Sequence, residues 1–444
     1  MRTPIVDFIR NYREKDTVCF HMPGHKGRPF LGVEPWDITE VSGADSLYEA
    51  DGIIAESEAN AAALFGTQGT FYSTEGSSQC IRAMLYLALT NRKPGTPPLI
   101  VAARNVHKSF VYAAALLDFE VCWLWPKENN SICSCTVSTS DLEDTLRNLS
   151  APPAAVYITS PDYLGQMADI RGLAEVCHRH GTILAVDNAH GAYLHFLDTP
   201  QHPLDMGADL CCDSAHKTLP VLTGGAYLHI SRGLPSLYCE KAKSALALFG
   251  STSPSYVILA SLDACNQYLS DGYSQRLKRW IERVEDVKAT LRARGWNVAE
   301  SDPLKLTIRR TDGYSGRSLA EALRSCGMEC EYADRDYLVL MLTPENSRLE
   351  LDRLLEVLET IRPLPARMPA LPLPYTEQVV SIRRAIMGES ERIKVGEAIG
   401  RICSSPLVSC PPAIPIVISG ERVTEKAVAL FRYYEVEYMD VLKS

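Results

Sequence analysis

No uninterrupted apolar run in this 444-residue chain approaches the ~18–20 residues that a transmembrane helix needs. The opening Met1-Arg-Thr-Pro-Ile-Val-Asp-Phe-Ile-Arg10 lacks a long apolar stretch and a small-residue cleavage site. A secretory leader is therefore not expected. Positive charge is in deficit: 54 acidic residues stand against 45 basic ones, a net charge of −9. Phosphate backbones call for clustered cations, so nucleic acid is not the expected partner. An acidic field weakly favours small cationic ligands. No C-x-x-C pair occurs among the 14 cysteines, so no metal site is expected, and the thiols read as small reduced hydrophobes. Short-period repeats and low-complexity tracts are also missing. What remains is 46% hydrophobic and 22% charged, which excludes a wholly disordered chain. At ~150 residues per domain, two or three units and a cytoplasmic location are expected.

The middle of the chain alternates short apolar runs with amphipathic ones. Strands are expected at 98–102, 120–124, 155–159, 182–187, 209–213 and 225–230, with helices at 107–117, 141–148 and 170–180. Gly181 supplies the stop of the last helix. This β-α-β rhythm implies an α/β fold, with a mainly parallel sheet covered by helices on both faces. Ligands of such sheets collect at the carboxyl ends of the strands, where the polar clusters of this sequence fall. Beyond residue 250 the pattern changes. Long helical segments are expected over 255–293, then a smaller α+β unit over 303–361 with strands at 305–308 and 337–341 and a helix at 316–326. The Pro-rich stretch 363–374 reads as a linker to a tail unit, which starts helical and runs on to Pro411-Pro-Ala-Ile-Pro-Ile-Val-Ile418. The implied domains are an N-terminal segment 1–60, a large domain 61–290, a small α+β domain 291–364 and a C-terminal domain 365–444.

Four clusters carry chemistry. In Asp213-Ser-Ala-His-Lys-Thr-Leu-Pro220, Lys217 follows an apolar strand and precedes the pair Gly224 and Gly225. A lysine amine that loses its proton in such a setting forms an imine with an aldehyde; alone, Lys217 reads equally as a loop lysine. Asp187 closes an earlier strand in Val186-Asp-Asn-Ala-His-Gly191. A carboxylate there suits the ring nitrogen of pyridoxal phosphate, although strand-end Asp residues also cap turns. Ser73-Thr-Glu-Gly-Ser-Ser-Gln79 precedes an amphipathic stretch. Ser77 and Ser78 there could hold a phosphate at a helix N-terminus or serve as ordinary N-caps. In Arg104-Asn-Val-His107, the imidazole could stack on a cofactor ring or be structural.

The order phosphate turn, His, strand-end Asp, Lys resembles the large domain of fold-type-I pyridoxal-phosphate enzymes. A narrower resemblance runs from about residue 17 to the C-terminus. Phe20-His-Met-Pro-Gly-His-Lys-Gly27 is similar to the HxPGHK signature of the bacterial ornithine/lysine/arginine decarboxylases. Asp37-Ile-Thr-Glu40, Ala62-Ala-Leu-Phe-Gly66, Thr159-Ser-Pro-Asp-Tyr-Leu-Gly165, Ser214-Ala-His-Lys217, Pro411-Pro-Ala-Ile-Pro415 and Gly420-Glu421 follow in family order.

The resemblance implies an aspartate-aminotransferase-like large domain with a seven-stranded sheet, followed by a smaller α+β domain and an α+β tail. It implies pyridoxal 5'-phosphate on Lys217, with His216 at the phosphate or the reacting group and Ser214, Ser77 and Ser78 on the phosphate. Asp187 would pair with the pyridine nitrogen, His190 would sit near the ring's phenolic oxygen or the substrate, and His107 would stack on the ring. The implied reaction is α-decarboxylation of arginine, lysine or ornithine, with arginine preferred. It consumes a proton, which suits polyamine synthesis or acid tolerance. Glu421 is the family-tail candidate for the substrate's distal cation, and Asp45 or Glu49 could reach across a subunit interface. A homodimer or larger homo-oligomer with the site at the interface is expected. Two features depart from the family pattern. Glu75 stands beside Gly76 in the phosphate turn, where a carboxylate must point away, and Leu164 stands where Tyr is common. The signature begins at His21, so the chain resembles short members without a receiver-like N-terminal domain. An aminotransferase or lyase is the nearest rival; Arg310 and Arg348 could grip a carboxylate but lie in no matching motif. A non-catalytic homologue would be expected to have lost Lys217 or Asp187, and both are present.

Overall fold

The computed structural model describes residues 1–15, 17–126, 131–364, 373–406 and 414–443. Most of the expected linker 363–374 and the start of the 411–418 segment lie outside the described residues. Seven strands make the main sheet: β1 (Gly69–Ser73), β2 (Leu99–Ala103), β3 (Glu120–Leu124), β4 (Ala155–Thr159), β5 (Ile183–Asp187), β6 (Leu210–Asp213) and β7 (Ala226–Ile230). Their order is β1-β7-β6-β5-β4-β2-β3. The pairs β2/β3, β2/β4 and β5/β6 are parallel. Strand β7 runs antiparallel to β6 and to β1. This is the mainly parallel α/β sheet that the apolar runs imply, with an antiparallel edge. Strand β1 is not among the expected strands. Its five residues, Gly69-Thr-Phe-Tyr-Ser73, carry no alternation, and only pairing with the distant β7 defines it.

By contacts the chain forms two units, each of two segments: Met1–Gly95 with Ile170–Leu277, and Thr96–Asp169 with Lys278–Ser444. Each unit is discontinuous in sequence.

In the first unit, α1 (Pro4–Glu14) begins with Pro4, whose missing N–H costs nothing at a helix start. It buries Ile5, Val6 and Ile9 on one face. The N–H groups of Ile5 and Val6 donate to Asp263 Oδ2 at 2.9 and 3.0 Å, and Ser57 Oγ donates to Asp263 Oδ1 at 2.6 Å. A buried carboxylate thus serves the open end of a helix from far along the chain. Helix α2 (Ile53–Leu64) follows, then α3 (Gly76–Thr90) directly after β1. Helix α3 buries Cys80, Ile81, Met84, Leu85, Leu87 and Ala88, the pattern of a core helix. Gly224 is obligatory beside it: its φ is +101°, and a Cβ there would lie 2.8 Å from the Thr74 carbonyl oxygen.

In the second unit, α4 (Lys108–Leu117) follows β2. The strands β8 (Lys305–Arg309), β9 (Tyr332–Ala333) and β10 (Tyr337–Met341) form an antiparallel sheet in the order β8-β10-β9. The helices Gly316–Ser325 and Arg348–Glu359 accompany it, the latter opened by a Ser347/Glu350 capping box. In the tail, β11 (Ser390–Lys394) pairs with β12 (Tyr438–Leu442) in a two-stranded ladder.

Burial pushes the Asp263 carboxyl up to about 6, against the weaker opposing pull of its Ser57, Val6 and Ile5 bonds. Between pH 4 and 6 the folded chain keeps this proton while the unfolded chain loses it. The contribution of Asp263 therefore declines as pH rises through that window. Wild type should lose stability relative to Asp263→Asn by up to about 3 kcal/mol from pH 4 to pH 6.5. Paired urea denaturation series check this, and a constant difference would contradict it.

Candidate active site

In the first unit, the carboxyl ends of β5 and β6 and the amino end of α3 carry the polar residues. Strands β5 and β6 are parallel, with Asp187 opposite Cys212. Asp187 is buried, and its Oδ1 accepts from the Ala189 N–H at 3.2 Å and the Cys212 thiol at 3.7 Å. Burial, with Asp187 nearby, pushes the Cys212 thiol up, so it remains a donor. The chain then turns through Asn188 and Ala189 to the buried His190.

Beyond β6, Ser214 precedes the four-residue helix Ala215–Thr218. The Lys217 N–H donates to the Ser214 carbonyl at 3.0 Å. Lys217 Nζ lies 2.9 Å from His190 Nε2. His216 Nδ1 donates to the Gly225 carbonyl at 2.9 Å, fixing its tautomer. Ser214 Oγ donates to Ser77 Oγ at 2.8 Å.

Ser77 and Ser78 occupy the first turn of α3. That turn is held by Ser73 Oγ, which accepts from the Glu75 N–H at 3.0 Å and donates to the Gly76 carbonyl at 3.1 Å. Gly76 has φ +70°, and a Cβ there would find only His216 Cε1, at 4.0 Å. A small space is therefore open at the helix end. Glu75 turns its carboxylate to the backbone N–H of Ser251, which accounts for its presence in this turn.

These donors fit pyridoxal phosphate. First-turn N–H groups of a helix have no intrahelical acceptor and attract an anion. Hydroxyls of Ser77, Ser78 and Ser214 add donors for a phosphate, the Lys217 amine suits an aldehyde, and the Asp187 carboxylate suits a protonated ring nitrogen. His107 belongs to the second unit and is the N-cap of α4, its Nδ1 accepting from the Ser109 N–H at 3.2 Å.

The candidates for the substrate's distal cation separate. Glu421 is buried, and its Oε2 takes Arg104 Nη2 at 3.0 Å, Thr376 Oγ1 at 2.7 Å and the Ile418 N–H at 2.7 Å. That carboxylate already has a cation within its own chain. Arg104, also fully buried, donates to the carbonyls of Pro415 and Ile416. Its guanidinium lies 5.5 and 5.2 Å from the rings of Trp123 and Trp125. Asp45 is also engaged by its own chain. Its Oδ2 accepts from the N–H groups of Gly52 and Ile54 at 3.0 and 2.7 Å, capping α2. Glu49 is exposed on the short turn Leu47–Glu49. The adjacent Tyr48 hydroxyl accepts from Gln79 of α3 at 2.8 Å. Of the aminotransferase candidates, Arg310 faces Asp336 at 3.7 Å and Arg348 faces Asp352 at 3.8 Å.

Sequence reasoning passed over Arg104, Asn188 and Asp213. Each lies inside a motif quoted for a neighbour; Arg104 and Asp213 carry the signal of a charge at the end of an apolar strand, and Asn188 carries none. In the N-terminal signature, His25 Nε2 lies 3.2 Å from Asp37 Oδ2, and Tyr12 Oη lies 2.9 Å from His21 Nε2.

Fold and site together define a fold-type-I pyridoxal-phosphate enzyme. Residues 3–309 match the family model for the Orn/Lys/Arg decarboxylase major domain, and residues 367–439 match that for its C-terminal domain. The chain belongs to this family and is a pyridoxal-phosphate-dependent decarboxylase. It is 31% identical to YaaO of Bacillus subtilis, over 96% of this chain and 93% of that protein. With a B. subtilis arginine decarboxylase it shares 29% identity over 96% and 92% of the two chains. The structure of lysine decarboxylase A from Pseudomonas aeruginosa superposes with a TM-score of 0.82 at 18% identity, covering 99% of this chain and 80% of that one. Among the described residues, no helix is long and apolar enough to cross a membrane.

Breaking the Arg104–Glu421 pair from one side leaves a buried charge without its counter-ion. Glu421→Gln should lower unfolding free energy by about 3–5 kcal/mol. Calorimetry checks this, and an unchanged melting temperature would contradict it.

Proposed function

We propose that this enzyme removes the α-carboxyl group of arginine in preference to lysine or ornithine, with Lys217 as the covalent anchor of the cofactor. The observation that carries the site assignment is the 2.9 Å approach of Lys217 Nζ to His190 Nε2, beside Asp187 and the Ser77–Ser214 hydroxyl pair. The preference for arginine is supported by the arginine decarboxylase of B. subtilis, which matches along nearly the whole chain.

Bound pyridoxal phosphate supplies an electron sink for the pair left behind when carbon dioxide departs. The chain's own residues do the rest. Ser77, Ser78 and Ser214 would hold the phosphate at the end of α3. Asp187 would keep a proton on the pyridine nitrogen, and its burial would strengthen that pairing. His190, 2.9 Å from the Lys217 amine, would face the ring's phenolic oxygen. Lys217 Nζ returns a proton to the α-carbon, with His216 as the second donor. The proton replaces the lost carboxyl group, so one proton is consumed per amine formed.

Glu49 is the remaining candidate for the distal cation, contributed across a homodimer interface. The dimer is supported by the segment around the N-terminal signature. There Phe20, Phe30 and Leu31 are 94%, 81% and 87% exposed, with Val18 beside them. A single chain rarely leaves so many large apolar side chains in water, and a second copy would cover them. The described cysteines are free thiols, which supports a reducing, cytoplasmic setting.

Amine products should be identified after incubation with arginine, lysine and ornithine plus pyridoxal phosphate. Agmatine is expected to form fastest; cadaverine or putrescine as the main product would reassign the substrate. Lys217→Ala should lower turnover by about four orders of magnitude or more, as loss of a nucleophile does, with the fold retained by circular dichroism. Turnover at the parental rate would remove Lys217 from its role.

A further inference from the structure

Asp213 ends β6 one residue before Ser214, and it is fully buried. Its carboxylate is ringed by donors. Oδ1 takes Asn188 Nδ2 at 2.7 Å, and Oδ2 takes His202 Nε2 at 3.0 Å and His229 Nε2 at 3.1 Å. The Cys211 thiol lies 3.7 Å from Oδ1. Both imidazoles have partners behind them. His202 Nδ1 accepts from the Leu204 N–H at 3.4 Å, and His229 Nδ1 lies 2.9 Å from Thr70 Oγ1. His202, Cys211 and Asp213 have the donor chemistry of a metal site and lie within 4.8 Å of one another. The Leu204 contact, however, places the proton of His202 on Nε2, facing the carboxylate. The cluster is thus a hydrogen-bonded cage, with acceptor and donors matched.

The cage reaches the active site through Asn188. Besides the bond to Asp213, its N–H donates to the Cys212 carbonyl at 3.0 Å, and its carbonyl accepts from the Gly191 N–H at 2.8 Å. A Cβ on Gly191 would lie 2.0 Å from Asn188 Oδ1, so the glycine leaves the room in which this side chain reaches Asp213. Asp187 precedes Asn188 directly, and His190, which meets Lys217, lies two residues beyond.

We infer that Asp213 is a positioning residue: caged by His202 and His229, its carboxylate sets Asn188, and through it Asp187 and His190, in register with Lys217. This rests on the proposed role of Lys217. Burial alone would raise the Asp213 carboxyl, but His202 and His229 outweigh it and hold the group well below the usual carboxylate range. The anion is therefore the working form. An amide in its place would turn a donor toward donors.

The test titrates full-length apoproteins with pyridoxal phosphate. It follows visible absorbance of the cofactor and borohydride trapping at Lys217, alongside the melting temperature. Asp213→Asn and Asn188→Ala should each weaken cofactor binding about tenfold or more, as expected when a buried charge-assisted bond is lost. Asp209→Asn is the control. Asp209 lies just before the opposite end of β6, with His178 Nε2 at 2.9 Å and the Leu184 N–H at 2.8 Å. It should lower the melting temperature while binding stays within about twofold of wild type, as for an independent site. If Asp213→Asn does not fold, Asn188→Ala decides, because it leaves Asp213 with both histidines. Parental binding by Asn188→Ala, or equal weakening by Asp209→Asn, overturns the inference. Wild type that takes up no cofactor at Lys217 overturns instead the function proposed above.

Discussion

The approach of the Lys217 amine to the His190 imidazole depends on two parallel strands ending together. Asp187 lies opposite Cys212 in the β5/β6 register, so the two chain exits start level. One exit turns through Asn188 to His190, and the other enters a short helix through Ser214 to Lys217. A one-residue slip of β6 would move Lys217 to the other face, because side chains alternate along a strand. The backbone bond from the Asn188 N–H to the Cys212 carbonyl and the side-chain bond from Asn188 to Asp213 both hold that register.

Buried charge recurs in this chain, and each case is resolved by different chemistry. Asp213 is ringed by side-chain donors and kept as an anion. Glu421 is neutralised by Arg104, which also donates to the carbonyls of Pro415 and Ile416. Asp263 receives the first-turn N–H groups of α1 and, with less help, is pushed toward its neutral form. A carboxylate buried without such partners would cost several kcal/mol, so these groups constrain the chain to one arrangement.

Much of the fold was legible in the sequence because the parallel strands are nearly continuous apolar runs. Strands β3 and β4 lie where those runs place them, and β2, β5, β6 and β7 lie within a residue. The polar residues at their carboxyl ends marked the site region for the same reason. Contacts between distant parts of the sequence were not legible. Glu421 meets Arg104 across more than 300 residues, and no local pattern signals the pairing. Asp45 caps a helix whose start shows no usual N-cap, since Gly52 precedes Ile53. His107 reads as a ring-stacking residue, while its local work as a helix cap takes only the first turn that follows it. Asp213 and Asn188 were visible as residue types, but their bond needs the β5/β6 register to be known.

The central claim is that one amine, that of Lys217, captures the cofactor at this strand end. Borohydride reduction of the pyridoxal-phosphate-loaded protein, followed by proteolysis and peptide mass mapping, tests it most directly. The account predicts a phosphopyridoxyl group on the peptide containing Lys217 and on no other lysine at stoichiometric level. Stoichiometric label on a different lysine, with Lys217 unmodified, would contradict it.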